Sequence, residues 1–487
     1  MLPNPGRGPM LLTVFGRLAL GCQCLLVGRS LAIETVKLPI GRIVLWGFLL
    51  VVSWAIVAIP AGSGDRPQPF SCVGTEVTTI APEATLPWDD SSSYLYRKLL
   101  DRLLPAGDRE GELYRLDTQE AAKILRAIAA IHGVENPNSE ETTCDRLSAR
   151  RRKSLEQIDP EAVTLYPIVL ADRLEVVVGF PDGQFGHYTI AVCARELSDL
   201  ATQMRQSLRR TSFANERLPL AQQFYRWLVE PIATELDRYT IATLVFVLDG
   251  PLWNLPIAAL HDGTGYLVEK YAIALAPLLR VVEPRSQPLE DFEALVGGLS
   301  QSRAGFAPLP GVERELHAIA ALMPTRLLLD ERFTREQLVS SLQERPFEIV
   351  HLATHGQFSS DPQQTFILTW DGPVNLNEFE RLLRSRENGE IELLVLSACQ
   401  TAQGDKRAAL GLAGIAVRSG ARSTLASLWP VQDASSAQLM MSFYHELMRS
   451  GVGKAQALRR AQLSLLQQPQ YKHPFYWAAF VLVGLWI

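Results

Sequence analysis

The sequence predicts an α/β protein: a mostly parallel sheet with helices on both faces, preceded by an antiparallel β meander, a small helical unit and an N-terminal transmembrane helix. Three observations predict it. Short, nearly all-apolar runs alternate with helical patterns over the last half of the chain. Three β-rich runs separated by turn residues come before them. Residues 43–61 form one long apolar stretch near the start. Strands covered by helices on both faces read as continuous apolar runs, whereas half-solvated strands alternate.

The chain has 487 residues, 47% hydrophobic and 20% charged, which excludes a mainly disordered or collagen-like chain. With 47 Lys and Arg against 52 Asp and Glu, the net charge is −5. A nucleic-acid binder takes most of its affinity from phosphate neutralisation and is usually basic, so none is expected as a partner. Six cysteines in so long a chain are too few for a disulfide scaffold.

In chain order, residues 1–42 form a basic N-terminal segment carrying Arg7, Arg17, Arg29, Lys37 and Arg42 against the single acid Glu34. Residues 43–61, IVLWGFLLVVSWAIVAIPA, contain no charge. Nineteen helical residues reach about 28 Å, close to the roughly 30 Å hydrocarbon core of a bilayer. A cleaved signal peptide has a shorter apolar core nearer the N-terminus, and a buried helix normally has a polar face. A single-pass anchor is therefore expected. The positive flank favours a cytoplasmic N-terminus and a non-cytoplasmic body, and the side of the body is left open. An exported body would place Cys72, Cys144, Cys193 and Cys399 in oxidising surroundings.

Residues 62–90, rich in Pro, Gly, Ser and Thr, read as a linker. Residues 91–155 form the small helical region, with apolar residues at helical spacing over 91–104 and 118–132. Its role is not legible. The basic run Arg150–Lys153 reads as a solvated face or loop. The main domain, residues 160–487, opens with the meander at 163–170, 174–180 and 187–192. Helices follow at 197–209 and 220–236. Strands at 244–248, 294–296, 349–353, 366–369, 393–396, 423–426 and 480–483 then alternate with helices at 312–322, 335–342, 410–419, 434–449 and 454–466.

In open α/β sheets, sites form at the carboxyl ends of strands. One strand, IVHLA, runs through Thr354 into His355-Gly356, and another, LLVL, runs into Ser397-Ala398-Cys399. If the two are neighbours, His355 and Cys399 share an edge. A free thiol is only a few per cent ionised at neutral pH, and a nearby imidazole supplies the base or the acid it lacks. Gly356 permits close approach of a backbone N–H to an oxyanion. An inert buried thiol and a core histidine explain the same spacing. His351 and His355 are four apart, but they lie on a strand pattern without a third ligand, so no metal is expected.

The segments EIVHLATHGQF (348–358), ELLVLSACQTAQGD (392–405), GLAGIAVRSGARSTLASLWPVQD (411–433) and HPFYWAAFVLVG (473–484) resemble the CHAT domain, a caspase-like family related to separase. So do PLPGVERELHAIAAL (308–322) and LDGPLWNLPIAALHDG (248–263). The resemblance implies a caspase-like fold and a cysteine endopeptidase acting on a protein or peptide through an acyl-thioester. His355 and Cys399 would be its dyad, and the Gly356 and Cys399 N–H groups its oxyanion donors, with no metal or organic cofactor. In such folds the loop at 427–433 helps line the substrate cleft, so Trp429 could stack on substrate and Asp433 could attract a basic P1 side chain. Core packing for Trp429 and an N-cap for the next helix at Asp433 are the competing readings. The family often carries tetratricopeptide repeats before the domain; here a membrane segment and a short helical unit take their place, which argues against regulation through a repeat-bound partner, while a regulatory protein partner of another kind stays open. The alternative function is a membrane-tethered signalling scaffold that binds partners without turnover, and a thioesterase or acyltransferase ranks below both.

Overall fold

A computed structural model describes residues 91–104, 110–131, 159–276, 292–358, 365–384, 391–397, 400–401 and 420–487. The expected anchor at 43–61, the linker at 62–90 and the expected helix at 410–419 lie outside the described residues. Among the described residues, no helix is long and apolar enough to cross a membrane.

The chain begins with α1 (Ser91–Leu103), the three-residue strand β1 (Tyr114–Leu116) and α2 (Thr118–Ile131). Asp117 starts α2: its Oδ1 accepts the Gln119 and Glu120 N–H groups, and Glu120 Oε2 accepts the Asp117 N–H in return. This reciprocal cap satisfies helix-end donors that have no partner within the helix. The meander follows as β2 (Ala162–Val169), β3 (Leu174–Gly179) and β4 (Phe185–Ile190), all antiparallel. Next come α3 (Ala194–Gln206), α4 (Ala214–Leu228) and α5 (Ala233–Arg238). The expected helix at 220–236 is thus broken at Glu230-Pro231, where proline cannot donate to the helix ladder and leaves a 3-10 turn.

The next elements are β5 (Thr243–Phe246), α6 (Leu267–Lys270), β6 (Ala272–Leu275), β7 (Ala294–Gly298), α7 (Pro310–Ala320), β8 (Thr325–Leu329), α8 (Arg335–Glu344) and β9 (Ile349–Ala353). Then come β10 (Gly356–Phe358), β11 (Phe366–Thr369), β12 (Gly372–Asn375), α9 (Leu376–Arg384), β13 (Leu393–Leu396) and β14 (Gln400–Thr401). The last are β15 (Ser423–Ser427), α10 (Asp433–Leu447), α11 (Lys454–Leu466) and β16 (Phe480–Gly484).

Twelve strands make one sheet in the order β1-β4-β3-β2-β5-β6-β16-β15-β13-β9-β7-β8. The meander is continuous with the main sheet through the parallel β2–β5 pair. The C-terminal strand β16 joins the two halves, parallel to β6 and antiparallel to β15. Strands β5 and β6 therefore run opposite to β9, β13 and β15, and their carboxyl ends lie at the opposite edge. The strand expected at 366–369 does not join this sheet. It belongs to a second, four-stranded sheet in the order β12-β11-β10-β14.

Side-chain alternation explains the layers. Ile349, Ala353, Leu393, Val395 and Leu425 share one core with residues of α7, α10 and α11. Their alternates Val350, Leu352, Leu394, Leu396 and Ala426 pack with Leu338 and Leu342 of α8 and Phe379 and Leu383 of α9. At the other end, Leu100, Ile124 and Ile128 of α1 and α2 pack on Tyr166, Ile168 and Val177 of the meander. The small helical region is thus a cover for one face of the sheet and shares its core.

Candidate functional site

Strands β9 and β13 are parallel neighbours, with Leu352 opposite Leu396. The two strands that lead towards His355 and towards Ser397 are therefore neighbours in the sheet. Beyond the strands, the Ser397 N–H donates to the Leu352 carbonyl at 2.9 Å. Further along, Gln357 in β10 pairs with Gln400 in β14. Ala398 and Cys399 lie outside the described residues, but the chain on either side of them is fixed to the segment carrying His355.

His355 is buried and held from two directions. Its Nε2 lies 2.8 Å from the Ala307 carbonyl oxygen. A carbonyl only accepts, so Nε2 carries the proton, and in the neutral ring Nδ1 is left as the acceptor. The Phe306 ring stacks on the imidazole at 4.8 Å between centroids, 28° from parallel. Both come from one loop between β7 and α7. Arg303 and Phe306 close its tip, with Ala304 and Gly305 at φ 52° and 85°. Arg303 Nε donates to the Trp370 carbonyl at 2.5 Å, with its guanidinium over the Trp370 ring.

Gly356 is buried at the start of β10, opposite Ile367 of β11. A Cβ there would sit 3.0 Å from the Phe366 carbonyl oxygen, so the absent side chain lets β11 of the second sheet close against the segment carrying His355.

Asp433 reaches the same region by another route. It is the first residue of α10 and does not cap it; Gln432 holds that position without a side-chain cap bond. Its Oδ2 instead accepts the Gly311 N–H of α7 at 2.7 Å. Burial raises the Asp433 carboxyl above the ordinary aspartate value, opposed by the Gly311 N–H and by the nearby charges of Arg314 and His355. A Cβ at Gly311 would lie 2.7 Å from Asp433 Oδ1, so only glycine admits the carboxylate. Trp429 is buried, packs in the core and donates its indole N–H to the Phe475 carbonyl at 3.1 Å.

Four residues before His355, within β9, His351 is wholly buried. Its Nε2 lies 2.8 Å from Glu315 Oε1 of α7 and its Nδ1 lies 3.1 Å from the Tyr444 hydroxyl of α10. Both nitrogens are thus engaged within the protein. Among the described residues, no group of three or more acidic, His or Cys side chains is placed to hold a metal.

Sequence reasoning missed Phe306, Ala307 and two hydroxyls. Ser397 follows β13 and Ser427 ends β15; both are almost fully buried, and their Oγ atoms have no hydrogen-bond partner among the described residues. The Ala304-Gly305 turn was a legible signal for the loop. The sequence places Ser397 beside the thiol and Ser427 at the start of the loop at 427–433, and nothing local marks a role for their hydroxyls.

The family model for the CHAT domain matches residues 218–485. The chain belongs to the CHAT domain family. Tetratricopeptide repeat protein 28 of Homo sapiens is 24% identical over 338 residues, covering 57% of this chain and 13% of that protein. The chain thus spans about an eighth of that relative's length. Among solved structures, the Saccharomyces cerevisiae separase–securin complex aligns over 76% of this chain and 34% of that one, with a TM-score of 0.46 and 10% identity. The Arg-specific cysteine proteinase gingipain R aligns over 60% and 75%, with a TM-score of 0.36 and 10% identity. The CHAT match takes in β9, β13, β15 and β16, and so the whole edge that carries His355, Asp433 and the neighbours of Cys399.

Proposed function

We propose that this CHAT protein is a cysteine endopeptidase in which His355 and Cys399 act as the dyad. The observation that carries the reading is the His355 Nε2–Ala307 bond: it commits the ring to one tautomer and leaves Nδ1 as the base. The Cys399 thiolate attacks the scissile carbonyl, forming a C–S bond and a tetrahedral oxyanion. The Gly356 and Cys399 N–H groups hold that oxyanion, and losing one such donor typically costs about 10²–10³ in rate. His355 passes the thiol proton to the departing amine and then activates the water that hydrolyses the thioester.

On the face of the sheet that packs against α7 and α10, the Asp433 carboxylate and the Ser397 and Ser427 hydroxyls, which have no partner among the described residues, offer acceptors to a cationic P1 side chain. The buried, hydrogen-bonded Trp429 contributes packing to the wall of the cleft. Residues 43–61 anchor the protein in a membrane as a single pass, and resistance of the full chain to alkaline extraction tests that.

The deciding experiment incubates the full chain and its Cys399→Ala variant with a peptide library varied at P1, following self-cleavage by mass spectrometry. Cleavage by the first alone, with Lys or Arg at P1, is the expected result. Silence from both chains, with the biological role kept in Cys399→Ala, moves the assignment to a scaffold.

A further inference from the structure

Asp330 is buried and follows β8 at the carboxyl edge of the sheet, adjacent to the end of β7. Its φ is 50°, in the left-handed region that a non-glycine residue adopts at a cost. Its carboxylate gathers four donors from two consecutive residues. Oδ1 accepts the Ser300 N–H at 2.7 Å and the Gln301 N–H at 3.1 Å; Oδ2 accepts the Ser300 hydroxyl at 2.6 Å and the Gln301 amide at 3.4 Å.

Ser300 and Gln301 open the loop that holds His355. The Ser300 carbonyl accepts the Leu309 N–H at 2.9 Å, which closes the loop at its base. One residue earlier, the Leu299 N–H donates to the Ala353 carbonyl at 3.1 Å, tying that base to the end of β9. The loop's other end delivers Phe306 and Ala307 to the imidazole. Residues 301–305 are exposed, so the tip gains little from burial and depends on its fixed ends together with the Arg303–Trp370 contact.

Resting on the peptidase reading of His355, we infer that Asp330 is a positioning residue: its carboxylate holds the loop that fixes the tautomer and ring plane of His355. It touches neither substrate nor the reacting atoms. A backbone conformation with a standing cost persists where the surrounding contacts over-determine it, and here those contacts run to the catalytic base.

The test uses full-length chains carrying Asp330→Asn, Asp330→Gly and Ser300→Ala, with ¹⁵N-labelled histidine and the His355 signals assigned through His355→Gln. The glycine variant adopts φ 50° without steric cost and so folds while lacking the carboxylate. In the wild type, His355 shows a single Nε2–H tautomer. Both Asp330 variants are expected to show mixed tautomers with an altered pH titration, and Ser300→Ala, which keeps the carboxylate and both backbone bonds, to stay close to the wild type. A matching fall in kcat/KM of about tenfold to a hundredfold, carried by kcat with little change in KM, follows from misplacing a reacting group by a fraction of an ångström.

A wild-type tautomer in Asp330→Gly overturns the inference, as does an equal disturbance by Ser300→Ala. The nuclear resonance readout needs no turnover. Failure of the peptidase reading therefore appears as silent kinetics beside an informative spectrum, and failure of the positioning role as an unchanged spectrum.

Discussion

The Asp433 carboxylate caps a helix to which it does not belong, accepting the Gly311 N–H at 2.7 Å. The bond crosses from the start of α10 to the start of α7 and places a half-buried acid near His355. Two opposing effects decide what Gly311→Ala does. Alanine is the better helix former by roughly 1 kcal/mol. Its Cβ, however, would meet Asp433 Oδ1 at 2.7 Å and Cγ at 2.9 Å, expelling the carboxylate and forfeiting a cap worth about 1 kcal/mol together with local packing. Gly311→Ala is therefore expected to be less stable than the wild type by urea denaturation. Gly311→Ala with Asp433→Ala has no such clash, and its stability is expected to exceed that of the Gly311→Ala single variant.

The raised Asp433 carboxyl sets a pH dependence with a definite sign. Burial disfavours its ionised form more in the folded chain than in the unfolded one, so the native state holds this proton to higher pH. Stability from this group is greatest below the unfolded aspartate value and falls as pH rises towards the raised folded value. Asp433→Asn removes the effect, so its stability relative to the wild type should be higher at neutral pH than at pH near 3. On the peptidase reading, catalysis runs the other way: only the ionised carboxylate would attract a basic P1 side chain, so kcat/KM for such substrates should decline on acidification at a pH above the ordinary aspartate value. A neutral P1 substrate should lack that limb.

Much of the fold was legible because its signals are local. The apolar runs at 349–353, 393–396 and 423–426 are parallel neighbours in the sheet, and the first of them leads to His355 at their carboxyl edge. Phe366–Thr369 has the same apolar texture and still enters a different sheet, because partner choice depends on Gly356 and β10, which nothing within the run records. The three-residue β1 is too short to show a period. Asp433 reads as an N-cap from its following Ala-Ser-Ser, and the helix it caps lies more than a hundred residues earlier. Asp330 was invisible for the same reason, since its partners are Ser300 and Gln301.

The Glu315–His351–Tyr444 chain stitches α7, β9 and α10 together inside the core. Burial pushes the Tyr444 hydroxyl well above its usual value, so it stays neutral and serves as a hydrogen-bond partner. Tyr444→Phe keeps the ring and removes one bond, at an expected cost of about 1–2 kcal/mol. Glu315→Ala strips a buried partner from His351 and leaves a void, for about 3 kcal/mol. Chemical denaturation of both variants and their double should give a combined loss smaller than the sum, since each deletion spoils the same imidazole. P1 selectivity should not change in Tyr444→Phe.

At the opposite edge of the sheet, Arg97 of α1 grips Asp249 beyond β5. Its two terminal nitrogens lie 2.6 Å and 2.8 Å from the two carboxylate oxygens, and Asp249 also accepts the Val169 N–H at 2.9 Å. Both side chains are buried, with 7% and 6% exposure, so the pair is neither solvated nor screened. Removing one partner strands the other charge, which typically costs about 3–5 kcal/mol, whereas replacing both with apolar side chains can be close to neutral. Arg97→Met and Asp249→Leu should each lower the denaturation midpoint strongly, and the double variant should recover most of the loss. A chain beginning at residue 160 faces the same penalty and also uncovers Tyr166, Ile168 and Val177, which α1 and α2 bury. That fragment is expected to bind a hydrophobic dye and to melt well below the longer chain, because the helical region before the CHAT match completes the core of the sheet.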